Sequence, residues 1–243
     1  MGGPRTVVVE NADELTRAAA DVVSDVIVGK PEASVVAATG RTPMGLYAEL
    51  AARHEKGLRT AGITAFQLDE YLGLGPTDRR SLFGWMRQSF LEPLGIHDER
   101  AVRLPTEGDV EGSCEEFDAA IRARGGLDLA ILGLGPNGHL GFNEPPSGPD
   151  DPTRIVTLSP ATVEANARYW GDIADVPTDA VTMGLQQLLA VRTIVLIASG
   201  RGKRDIVHAA LEGPVAPEVP ASFLQVTAAE VTAFVDRDAW GEA

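Results

Sequence analysis

What the chain lacks narrows its class first. One cysteine, Cys114, occurs in 243 residues, so an internal disulfide is impossible and a reducing compartment is expected. No run of about 18 apolar residues occurs, too little for a membrane-spanning helix, and no membrane partner is expected. The opening MGGPRTVVVENADE has no apolar segment of secretory-signal length, which makes the expected location cytoplasmic. Basic residues are scarce, with 21 Lys and Arg against 35 Asp and Glu and a net charge of −14. A nucleic-acid binder needs a basic face, so no nucleic-acid partner is expected. An anionic substrate would have to be held by a few local cations and backbone N–H groups against a repulsive overall field. Repeats, low-complexity tracts and composition breaks are also missing, so a single domain over 1–243 is expected.

What is present alternates strand and helix. Strands are predicted at Thr6–Glu10, Ser34–Ala38, Ile63–Leu68, Leu127–Leu132, Thr193–Ala198 and Thr232–Asp236. Helices are predicted from an Asn11 cap to about Gly29, from about Met44, over Ser81–Leu91 and Val110–Arg124, from Pro177-Thr178-Asp179 through Leu189, after Lys203 through Leu211, and briefly over Ala221–Val226. Asn11 with Glu14 three residues on has capping-box spacing. The alternation predicts an α/β fold, a single Rossmann-like, doubly wound domain with a mainly parallel central sheet. In SLFGWMRQSFL, Phe83, Met86 and Phe90 recur at helical spacing and read as core.

Chemistry-bearing residues collect where predicted strands end. LDLAILGLGPNGHLGFNEP, residues 127–145, runs from an apolar strand into Gly133, Gly135 and Gly138, then His139, Asn143 and Glu144. Open α/β sheets bind ligands at that edge. Thr39-Gly40-Arg41-Thr42-Pro43 has the form of an anion cradle at a helix N-terminus. Ser199-Gly200-Arg201-Gly202-Lys203 is a second turn of that kind, with cations. Asp69-Glu70-Tyr71 puts carboxylates at a strand tip, where one could act as a general base. The stretch from Val156 to Trp170, which carries Thr162, Asn166 and Arg168, is too polar for a core helix and reads as a mobile cover over the site.

Together these segments resemble glucosamine-6-phosphate deaminases, also called isomerase/deaminases. The likeness runs through TGRTP, LDEY, GGLDLAILGLGPNGHLGFNEP, TRIVTL, NARYW, VPTDAVTMG, SGRGK and ASFLQ. It implies conversion of glucosamine 6-phosphate and water to fructose 6-phosphate and ammonia, with no metal and no organic cofactor. It implies Asp69 as base of the aldose–ketose step, and His139 as the ring-opening group, oriented by Glu144 and by Asn137. It implies a phosphate held by Thr39, Gly40, Arg41, Thr42, Arg168 and Lys203, and a flexible lid over 156–175. Three positions depart from the family pattern. Asn137 stands where many members carry Asp, Arg41 where Gly or Ser is usual, and SLFGWM replaces a segment richer in Tyr and His. Another 2-amino sugar phosphate therefore stays open as substrate. Two further alternatives are 6-phosphogluconolactonase, whose glycine–histidine motif is not normally followed by FNEP, and a sugar-phosphate sensor. Allosteric hexameric members carry an extra basic residue about where Val156 stands, so an unregulated monomer or small homo-oligomer is expected.

Overall fold

The computed structural model describes residues 3–75 and 78–241. In chain order the elements are β1 Arg5–Val9, α1 Ala12–Gly29, β2 Ser34–Ala37, α2 Met44–Glu55, β3 Thr64–Gln67, β4 Asp69–Tyr71, α3 Leu82–Met86, β5 Ala101–Val102, α4 Val110–Ala123, β6 Leu129–Gly133, β7 Arg154–Thr157, α5 Pro160–Trp170, β8 Asp179–Thr182, α6 Leu185–Leu189, β9 Thr193–Ala198, α7 Arg204–Leu211, β10 Glu230–Asp236 and α8 Arg237–Trp240. A seven-stranded sheet has the order β1-β10-β9-β6-β2-β3-β5, and its pairings are parallel.

Burial explains why apolar runs became its central strands. In β2 every residue is buried, and neighbours face opposite layers. Val36 packs with Phe66, Ala130 and Leu196 on one face. Val35 and Ala37 pack with Leu129, Ile131 and Leu50 on the other. Such strands lose the alternation of half-exposed sheets and read as continuous apolar runs. Phe83, Met86 and Phe90 lie in the second of these cores, as expected. The predicted Asn11 cap is present: its side chain accepts from Asp13 N and Glu14 N, while Glu14 accepts from Glu10 N.

Three local expectations are corrected. The segment after Pro177 is not one helix to Leu189. Asp179–Thr182 is the middle strand of a second, three-stranded sheet ordered β4-β8-β7, antiparallel to both neighbours. Pro-Thr-Asp is a good helix start, yet Ala180, Val181 and Thr182 are wholly buried; pairing on both sides overrides the local signal. The helix begins only at Leu185, past Gly184, where a Cβ would run into the backbone of Asp151 and Pro152. Asp69–Tyr71 does not merely tip the third strand but leaves the main sheet to join the second one. The helix over 81–91 changes to π geometry at Arg87.

The topology locates a crevice. After β2 the chain builds outward through β3 and β5, then returns to lay β6 against β2's other edge and continues to β9 and β10. The winding direction thus reverses between β2 and β6. At such a reversal the two following loops diverge and leave a cleft beyond the strands' C-terminal ends.

Candidate active site

A cavity of about 470 Å³ lies at that reversal, lined by residues 38–42, 133–136, His139, Asp69, Arg168 and Lys203, among others. Of the residues singled out from the sequence, Thr39, Gly40, Arg41, Thr42, Asp69, His139, Arg168 and Lys203 reach its wall, whereas Asn137 and Glu144 stand behind it. The loop after β2 is pinned at its start, because Tyr47 Oη donates to Ala38 O at 2.7 Å. Gly40 follows with φ +100°, a conformation that L side chains rarely adopt. It turns the chain into α2, which no side chain caps, so the first N–H groups of that helix remain available to an anion.

Asp69 is 8% exposed, and its Oδ1 accepts no hydrogen bond among the described residues. Burial, reinforced by the adjacent Glu70 charge and opposed by the Thr39 hydroxyl, pushes its carboxyl up to about 7. Strand alternation separates the two acids. Asp69 and Tyr71 face the cavity, while Glu70 points to the opposite side of β4. There it accepts from Gln67 Nε2, Tyr71 N, Leu82 N and Phe83 N at 2.8–2.9 Å. Glu70 thereby ties the strand carrying Asp69 to the start of α3, whose Leu82 and Trp85 form another wall of the cavity.

The glycines of the loop after β6 bring His139 to the wall. Gly135 N donates to His139 O at 3.0 Å, and a Cβ on Gly135 would overlap the imidazole, so only glycine admits the ring here. Burial, together with the Lys203 charge, overrides the opposing pull of Glu144 and lowers His139 to about 4. The ring is therefore neutral near pH 7, and its Nδ1 is buried with no bonded partner among the described residues. Glu144 does not orient the ring by direct hydrogen bonding in this geometry. Its oxygens accept from Ser159 N (2.8 Å), Ser159 Oγ (2.7 Å), Thr162 Oγ1 (2.6 Å) and Asn137 Nδ2 (3.3 Å). Asn137 Oδ1 in turn accepts from the backbone N–H of His139 at 3.3 Å.

Two cations meet on the far side. Lys203 Nζ donates to Leu134 O at 2.6 Å. Its pKa is lowered by burial and by the neighbouring Arg168 charge. Arg168 stacks on Tyr169, its guanidinium carbon 4.7 Å from the ring centroid, and Tyr169 meets Trp85 edge-on at 5.4 Å. Like charges held together at a cavity wall are a natural seat for a dianion. Arg41 lines the same cavity from an exposed position.

Ser159, Trp85 and Tyr169 were not singled out from the sequence. Ser-Pro at 159–160 carries a readable helix-start signal, and Ser159 does cap α5. Nothing local shows that the same hydroxyl serves a carboxylate fifteen residues earlier. Asn143, noted within its motif, is wholly buried and donates to Leu140 O and Met183 O; it fastens the His139 loop to the second sheet.

The comparisons with known proteins agree with this architecture. Residues 8–233 match the family model described as glucosamine-6-phosphate isomerases/6-phosphogluconolactonase. A glucosamine-6-phosphate deaminase of Halothermothrix orenii is 40% identical over 238 residues, covering 97% of this chain and 98% of that protein. One from Lachnoclostridium phytofermentans is 41% identical over 215 residues, covering 88% and 91%. A solved structure described as a monomeric glucosamine-6-phosphate deaminase superposes with a TM-score of 0.94 at 35% identity, covering 98% of this chain and all of that one. A 6-phosphogluconolactonase from Trypanosoma brucei superposes at 0.79 with 20% identity, a likeness of fold alone.

Proposed function

The chain belongs to the family of glucosamine-6-phosphate isomerases and 6-phosphogluconolactonases, and from that premise we propose how its site works. It is an enzyme that isomerises and deaminates glucosamine 6-phosphate, giving fructose 6-phosphate and ammonia. The observation that carries the reading is a buried carboxylate with a free oxygen, raised to about 7, facing a neutral histidine across one cavity.

The sugar phosphate seats its dianion between Arg168, Lys203 and the Thr39–Thr42 turn, with Arg41 at the rim. Phosphate binding remote from C1 and C2 orients the reacting end. His139, neutral, takes the proton of the anomeric hydroxyl and returns one to the ring oxygen, which opens the ring. Asp69 removes the C2 proton and delivers a proton to C1 through an enolamine. Water then adds to the resulting C2 imine, and ammonia leaves as C2 becomes the ketone. A carboxyl near 7 suits this task, since it is basic enough to accept a carbon-bound proton and acidic enough to return it. Asn137 and Glu144 act behind His139.

Segment 156–175, built around α5, is the lid. Thr162, Asn166, Arg168 and Tyr169 all line the cavity from it, so its seating completes the phosphate grip and excludes water. The proposed roles draw on residues from 39 to 203, so one domain carries the whole reaction. The chain works as a monomer in the cytoplasm. Support for the first comes from the similar structure described as monomeric, and for the second from the single cysteine. No helix among the described residues is long and apolar enough to cross a membrane.

A substrate panel tests the specificity: ammonia release from glucosamine 6-phosphate and galactosamine 6-phosphate, and hydrolysis of 6-phosphogluconolactone. Ammonia from the first alone is expected. Ammonia from the second alone would transfer the specificity to Arg41 and the 81–86 wall, and lactone hydrolysis without ammonia would overturn the deaminase reading.

A further inference from the structure

Lys203 stands on a turn with little of its own to hold it. Ser199-Gly200-Arg201-Gly202-Lys203 carries two glycines. Gly200 has φ +92°, and a Cβ on either glycine would meet no neighbour. The stretch Arg201–Lys203 has no side-chain cap. Among the described residues, the buried side chain bonded to this turn comes from another strand. Asp236, 6% exposed, ends β10, whose Val235 pairs with Ala198 of β9. Its carboxylate therefore lies level with the start of the turn. Oδ2 accepts from Ser199 Oγ at 2.5 Å, and the two oxygens share Gly200 N at 3.0 and 3.1 Å. Gly200 O then accepts from Lys203 N at 2.9 Å. A hydrogen-bonded path thus runs from Asp236 to a cation that lines the cavity, while Asp236 itself does not reach the wall.

Capping alone does not account for this carboxylate. Asp236 Oδ1 accepts from Ala239 N at 2.8 Å and so caps α8. That short helix has other anchors. Ala239 is wholly buried, His208 Nε2 of α7 lies 2.9 Å from Trp240 O, and the two rings meet with centroids 4.5 Å apart. The remaining bonds of Asp236 among the described residues all go to the turn.

We propose that Asp236 is a positioning residue for the phosphate seat: its buried carboxylate fixes the Ser199–Gly200 turn and thereby sets where Lys203 enters the cavity. The proposal rests on the reading of Lys203 as part of the phosphate grip. By charge, a carboxylate behind an anion's seat works against binding; what Asp236 contributes is position. Two glycines leave the turn many conformations, and the carboxylate selects the one that aims Lys203 inward.

The test is a double-mutant cycle on the full chain, with inorganic phosphate affinity followed by 31P NMR and KM and kcat measured on glucosamine 6-phosphate. Asp236→Ala is expected to weaken phosphate binding and raise KM by about fivefold or more, the scale of coupled contacts, with kcat within about twofold. In a Lys203→Ala background the same substitution is expected to add less than about twofold, because the cation it positions is gone. Asp236→Asn removes the same charge but keeps an oxygen for Gly200 N and Ala239 N and an amide for Ser199 Oγ; it is expected to restore affinity to within about twofold of wild type. Unchanged affinity in Asp236→Ala would overturn the proposal. So would an equal loss with and without Lys203, or an asparagine variant as weak as the alanine one. If Asp236→Ala does not fold, Ser199→Ala, which leaves α8 capped, is read in both backgrounds by the same criteria. The phosphate titration needs no turnover, so a failure of the deaminase reading registers separately, as wild-type protein that releases no ammonia. Lys203→Ala protein that binds phosphate as wild type does would remove the phosphate grip and the proposal with it.

Discussion

At the scale of single residues, the proposed mechanism depends on two groups displaced from their ordinary protonation in opposite directions. Asp69 is raised to about 7 and His139 lowered to about 4. The base must be ionised, so kcat/KM should climb with pH through about 7, and a profile flat from about pH 5 to 8 would remove Asp69 from that role. Asp69→Asn should lower kcat by about 10²–10⁴-fold while inorganic phosphate still binds. Holding this acid also costs stability, and the sign follows from linkage. Below about pH 4 both folded and unfolded chains carry the proton. As pH rises toward 7 the unfolded chain releases it while the folded one retains it, so stability is lost over that window. Asp69→Asn should therefore melt higher than wild type at about pH 8, by a few kcal/mol in order of magnitude, with the difference closing toward about pH 4. A lower melting temperature at the alkaline end would contradict the burial argument. Lys203→Ala removes a charge-assisted contact worth about 1.5–3 kcal/mol, so KM should rise roughly 10- to 100-fold with kcat little changed; an unchanged KM would take Lys203 out of the phosphate grip.

At the scale of elements, the loop after β6 makes the most exposed claim. Gly135 abuts the imidazole so closely that Gly135→Ala must displace His139. A kcat loss of about 10²-fold is expected, together with about 1–3 kcal/mol of destabilisation. Circular dichroism and denaturant titration should show the fold retained, and wild-type kinetics would mean that the ring lies elsewhere. This loop was legible in the sequence because three glycines follow an apolar run and a histidine follows the glycines. The parallel strands were legible for the same reason, burial on both faces. The second sheet was not. Asp69–Tyr71 continues directly from the apolar run of β3, and no residue marks the change of sheet. Asp179–Thr182 carries a helix-start signal that only its antiparallel partners, about 110 and 25 residues earlier, override. The sequence expectation paired Glu144 with the imidazole, whereas in the fold its hydrogen-bond partners are Ser159, Thr162 and Asn137.

At the scale of the whole molecule, the winding reversal between β2 and β6 places loops from distant parts of the chain around one cavity. A net charge of −14 surrounds it, so binding of an anionic substrate rests on the local cations rather than on the overall field. If the chain acts as a monomer, saturation should be hyperbolic and its mass in solution that of one chain; sigmoidal kinetics relieved by N-acetylglucosamine 6-phosphate would contradict that. The central claim, that this crevice performs amino-sugar-phosphate deamination through Asp69, is tested most directly by one paired assay. Ammonia and fructose 6-phosphate are measured together from glucosamine 6-phosphate, with wild type and Asp69→Asn side by side. The account predicts both products in equal amounts from wild type and neither from the variant. Silence from wild type, or equal turnover by the variant, would contradict it.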